Sequence, residues 1–330
     1  MRVEAGRRHA AIALAGTVVL ASVAGLLYAC ALSIPARLAV PLTAAFAVEA
    51  GLYVAVCLER VRKRLAARLG APALALVAAA SALAPYAIYS LPTGEFSWRA
   101  LGLVGALAAG VSFWYVVLPR RPAIDLLFLA LVAAALLGPV FPAIYTSPTP
   151  RVPVGILGQV MWTRLAIFEC LAIAGMSVRG FSLLPRRKDW AAGTLNFLLF
   201  LPVGALLGWA LGCAGLHVRP APWWQTLGLA ILTFAGMLWV VALREEFFFR
   251  GLLQEWLQSW MRSEMAALAA ASVLFGLAHL PFRGFPNWRF AALAAVAGFF
   301  YGRAYLAARS VRAAMVTHAL VNTVWRVFFS

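Results

Sequence analysis

Two adjacent glutamates stand in the run Arg244-Glu245-Glu246-Phe247-Phe248-Phe249-Arg250 at the end of an apolar stretch, and the two apolar segments beyond it carry His279, then His318 with Asn322. An acid, an imidazole and an amide together can activate water: carboxylate or imidazole accepts its proton, and an amide N–H donates to the oxyanion that forms. Neighbouring residues on a helix point about 100° apart, so Glu245 and Glu246 cannot share a face, although both can line a cavity among several helices. Glu246 and Arg250 stand at i and i+4 and can pair, which would leave Glu246 ionised and oriented and Glu245 facing a water or a metal. His318 and Asn322 fall one turn apart on one face, so their side chains can converge on a single bound group. If residues 225–280 form two antiparallel helices turning near Arg262 and Ser263, positions whose numbers sum to about 525 lie at equal depth, which sets Glu246 level with His279. The plainer reading, charges at a membrane interface, competes poorly, because neighbouring acids in apolar sequence are costly without a purpose.

The pattern Glu-Glu-x-x-x-Arg (Glu245, Glu246, Arg250), Phe-x-x-x-His (Phe275, His279) and His-x-x-x-Asn (His318, Asn322) on successive hydrophobic segments resembles the CPBP family, also called ABI or type II CAAX prenyl endopeptidases. The resemblance covers roughly the last 100 to 140 residues. It implies an intramembrane endopeptidase acting on a lipidated or membrane-associated peptide or protein, with a cavity among the C-terminal helices. By position, Glu245 and His279 would activate the water, His318 and Asn322 would stabilise the oxyanion, and Glu246 and Arg250 would support the site. The sequence has neither His-Glu-x-x-His nor a cysteine cluster, yet Glu245, His279 and His318 from separate helices could form a three-ligand site for a divalent metal such as zinc. Metal-dependent and metal-free glutamate mechanisms both remain open at this level.

The elements that must position these groups follow from composition. Of 330 residues, 64% are hydrophobic and 12% charged, which marks an integral membrane protein. The apolar runs predict an all-α, polytopic helical bundle of about 8–11 transmembrane helices. Composition shifts near residue 189 divide the chain into an N-terminal membrane region of unassigned role, 1–189, and a protease-like core, 190–330. The net charge of +17 is dispersed over the connections rather than gathered into a stripe, which fits membrane topology and not a nucleic-acid partner. Its heaviest cluster, Arg60 to Arg68, alternates with connections carrying one base each, which predicts a cytoplasmic N-terminus. The Ala-, Arg- and Gly-rich composition suits a bacterial inner membrane. Nothing in the sequence specifies an oligomeric state.

Residues 251–264 place Leu253, Trp256, Leu257, Trp260 and Met261 on one face and Gln254, Glu255, Gln258 and Arg262 on another. They form an amphipathic helix that either lies in the interface or extends the preceding span. Gly204, Gly208, Gly212 and the pair Gly298 and Gly302 read as close helix packing. The four cysteines, Cys30, Cys57, Cys170 and Cys213, lack metal or redox spacing and read as small packing residues. Glu49, Arg164 and Glu169 fall inside other spans, where local pairing and substrate contact are equally open. They keep a different class in view: a non-catalytic transporter or binding scaffold with a polar cavity. A transporter would depend on polar groups in both halves of the chain.

Overall fold

The computed structural model describes residues 2–213, 215, 222–282 and 284–329, with side chains from residue 10 onward. These residues form helices and no strand. Seven helices are long and apolar enough to cross a membrane: α1 (Arg2–Ala31), α2 (Ala36–Cys57), α4 (Ala71–Thr93), α7 (Gly155–Ile173), α8 (Arg187–Ala210), α9 (Trp223–Met261) and α11 (Trp288–Ala308). Three shorter apolar helices are α5 (Trp98–Ser112), α6 (Pro122–Leu137) and α10 (Glu264–Leu277). The basic α3 (Glu59–Ala66) follows α2, and α12 (Val311–Phe328) ends the described chain. Large apolar side chains such as Leu20, Leu76, Leu206 and Leu232 are exposed, as lipid-facing residues of an integral membrane protein must be. Contacts divide the chain into two compact units, Met1–Ser177 and Val178–Ser330.

In the first unit the apolar run over residues 124–146 does not form one continuous helix. α6 stops at Leu137 before Gly138 and Pro139, and a separate short turn, Val140–Ile144, follows. Proline has no N–H to continue the helical ladder. The buried charges of this unit pair internally. Arg164 on α7 donates from Nε and Nη2 to the two carboxylate oxygens of Glu49 on α2, at 2.6 and 3.2 Å, and from Nη1 to Ser81 Oγ on α4 at 2.8 Å. Glu169 does not join them: it accepts the backbone N–H of Tyr115 at 2.6 Å.

The second unit contains α8 to α12. Residues 251–264 extend the preceding span rather than leaving it, because α9 runs unbroken for 39 residues. At 1.5 Å per residue that is roughly 58 Å, about twice the hydrocarbon thickness, so its amphipathic end tilts or emerges into the interface. The hairpin turns where expected. Arg262 adopts a left-handed conformation (φ 54°), and Ser263 caps α10 by accepting the Ala266 N–H at 3.2 Å. Two segments of α9, Met237–Ala242 and Phe247–Gln254, are π-helical. They bracket the single α-turn Leu243–Glu246 that carries the paired glutamates.

α12 is held against α8 along its buried side. Arg312 pairs with the fully buried Asp189 at 2.9 Å, and Thr317, beside His318, donates to the Gly193 carbonyl at 3.0 Å. A side chain at Gly193 would place Cβ 2.6 Å from Val316 Cβ and 2.9 Å from the Ala313 carbonyl. The neighbouring atoms are branched carbon and backbone, which cannot swing away. Gly193→Val is therefore expected to cost about 1–3 kcal/mol of stability. Thermal unfolding in detergent checks this, and an unchanged midpoint would show that α8 and α12 separate freely.

Candidate active site

The π-helical turns on either side of Leu243–Glu246 change the residue spacing around the glutamates, a feature frequent where a helix must aim side chains into a site. Glu246 is completely buried and held from two sides. Its Oε1 lies 2.6 Å from His318 Nδ1, and its Oε2 lies 3.1 Å from Arg250 Nη1. Arg250, also completely buried, donates from Nη2 to the Gly298 carbonyl on α11 at 2.7 Å. Its guanidinium lies over the rings of Phe275 and Tyr301, at 4.7 and 5.5 Å from their centroids. Such stacking suits a planar, weakly hydrated cation that must leave water.

His318 is fixed on its flat face as well as its edge. Tyr301 stacks on it at 4.5 Å with a 14° interplanar angle, and Phe275 meets it edge-on at 5.8 Å. With ionised Glu246 accepting at Nδ1, that nitrogen carries the proton, and a neutral ring presents a bare Nε2. This nitrogen lies 3.9 Å from Glu245 Oε2, a buried oxygen with no hydrogen bond among the described residues. A separation beyond about 3.5 Å leaves a place for a bridging water, within about 2.8 Å of both groups.

His279 closes the α10 end of the group. Its Nδ1 lies 2.7 Å from the Phe275 carbonyl, so it donates there and leaves Nε2 bare, while its ring packs on Phe275 at 4.6 Å. Arg244 Nη2 approaches Glu245 Oε1 at 3.5 Å. The Asn322 amide Nδ2 points to Met237 Sδ at 3.8 Å, a long, weak contact. The structure thus gathers Glu245, Glu246, Arg250, His279 and His318, and sets Asn322 one turn beyond His318 on α12.

Residues 226–324, from Thr226 on α9 to Val324 on α12, match the family described as type II CAAX prenyl endopeptidase Rce1-like. This segment is similar to the Rce1-like family. No curated protein and no solved structure matches the chain. The matched segment contains the whole polar set, from Glu245 to Asn322.

A bound divalent metal would need about three protein ligands converging on one point. Among the described residues no three His, Cys, Asp or Glu side chains are gathered so as to hold one, and Glu245, His279 and His318 as placed do not form such a group. Glu246, the carboxylate nearest His318, is already committed to Arg250. Tyr301, the Gly298 carbonyl and Arg244 are parts of the site that sequence reasoning did not single out. Gly298 and Tyr301 lie on one side of α11, and a polar-capable tyrosine one turn from a packing glycine was the available signal. Arg244 stood in plain view beside the glutamates.

Proposed function

We propose that the chain is an intramembrane endopeptidase that hydrolyses a peptide bond of a lipidated or membrane-associated peptide or protein. The observation that carries this reading is the 3.9 Å approach of Glu245 Oε2 to His318 Nε2 in a buried setting. A water between them loses its proton to Glu245 as its oxygen attacks the scissile carbonyl carbon, and the carbonyl π pair moves onto oxygen. Asn322, once turned from Met237, donates to that oxyanion, as does His318 once its bare Nε2 has taken up a proton from solvent. As the oxyanion collapses, the C–N bond breaks, Glu245 returns its proton to the leaving nitrogen and His318 gives its own back to solvent, leaving a carboxylic acid, which then ionises, and an amine. His279, with its bare Nε2, assists the deprotonation. Glu246 and Arg250 hold His318 in one tautomer and orientation. No step passes through a metal.

The basic connection at α3 and the sparsely charged connections flanking it support an N-terminus in the cytoplasm, and composition supports a bacterial inner membrane. The test is cleavage of a panel of fluorogenic lipidated peptides and membrane peptides by the detergent-purified full chain. Glu245→Gln keeps the side-chain shape and is expected to lower kcat by about 10²- to 10⁴-fold. Equal cleavage by both proteins removes Glu245 from the chemistry. Cleavage of no substrate by the wild type turns the reading to a non-catalytic scaffold or transporter. A parallel chelator arm decides between the metal-free route and one in which a divalent ion rearranges the site.

A further inference from the structure

A line of buried polar atoms continues from the hydrolytic group along α9, toward the hairpin at Arg262. Arg250 and Gln254 stand four residues apart there, and α11 matches them with Gly298 and Gly302. The Gly298 carbonyl accepts from Arg250, and a Cβ at Gly302 would fall 2.8 Å from Gln254 Oε1. α10 covers the other side, where Phe275 lies under Arg250 and Leu268 reaches the Gly302 position. Gln254 is 1% exposed. Both of its amide atoms, and Arg250 Nε, are buried with no hydrogen-bond partner among the described residues.

Primary amides enclosed among apolar helices are rarely left unsatisfied, and buried water is the usual partner when no protein group serves. The next residue along α9 is partly exposed. Glu255, next to Gln254 and about a quarter exposed, accepts from Tyr305 Oη on α11 and lies 3.6 Å from the half-exposed Arg179. Hydrolysis within a bilayer consumes one water per turnover, and the lipid side of these helices cannot supply it.

We propose that Gln254 holds a file of water molecules running between α9, α10 and α11 from the Glu255 edge to the Glu246–Arg250 pair, supplying water to the hydrolytic site. Its role in supply rests on the peptidase reading, but its occupancy does not. Gln254 is a positioning residue for water and does not touch the substrate.

Two measurements on the full chain test this. An experimental density map at a resolution that shows ordered solvent is expected to place water within hydrogen-bonding distance of the Gln254 amide. Gln254→Met, of equal length but without donor or acceptor, is expected to lower kcat about 10-fold, the equivalent of one lost hydrogen bond. KM should stay within about twofold, because no substrate contact is removed. The melting temperature is expected to stay close to that of the wild type, since the variant removes hydrogen bonds to water and none to a protein group. Gln254→Asn, which keeps the amide, is expected to recover part of kcat. A Gln254 amide satisfied by protein groups alone, or an unchanged kcat in Gln254→Met, overturns the proposal. The map reads the file without turnover, so a chain that cleaves nothing refutes the peptidase reading separately from the water.

Discussion

Arg250→Met is expected to lower stability by about 3–5 kcal/mol and to remove cleavage with it. The substitution keeps an unbranched chain between Phe275 and Tyr301 but takes away the cation, leaving the completely buried Glu246 carboxylate with His318 alone. An uncompensated buried charge costs far more than the net worth of the pair it came from, so the single replacement is the damaging one. Glu246→Gln together with Arg250→Met removes both charges and is expected to regain most of the lost stability. It should not regain activity, because a neutral amide at position 246 no longer fixes His318 in one tautomer and orientation. Thermal unfolding and cleavage, measured on the same three proteins, separate the two effects. An Arg250→Met protein that melts with the wild type would show that the pair contributes little, and the account of how His318 is held would fail with it.

The i, i+4 spacing of Glu246 and Arg250 was legible because both partners lie on one helix, where geometry is fixed by rise and turn. The hairpin at Arg262 and Ser263 was legible for a similar reason: a break between two apolar runs leaves few places to turn. The stack of Tyr301 on His318 was not, since it depends on how α11 and α12 approach each other, which local periodicity does not encode. The two π-helical segments were equally hidden. A shift from i→i+4 to i→i+5 bonding is decided by what the helix packs against, and composition gives no sign of it. Glu49 and Arg164 showed the same limit from the other side. Their depth made a partner necessary, but a sequence separation of 115 kept its identity out of reach.

That second pair gives an independent outcome of similar size. Arg164→Met is expected to destabilise the first unit by about 3–5 kcal/mol, because it strands the carboxylate of Glu49, whose side chain is 1% exposed. Ser81 contributes little to the loss: its hydroxyl already donates to the Ala78 carbonyl at 2.6 Å and needs no guanidinium to satisfy it. Glu49→Leu combined with Arg164→Met replaces the pair by apolar side chains and is expected to return stability to about the wild-type value or above it. Thermal unfolding of the two single variants and the double variant measures this. A double variant as unstable as Arg164→Met would mean that the pair does more than neutralise itself. The same protein bears on function. An endopeptidase whose chemistry lies within residues 226–324 should retain cleavage when Glu49 and Arg164 are both apolar. A transporter that carries its cargo past those charges would lose transport while remaining folded, so the double variant separates the two classes where either single variant would confuse them with unfolding.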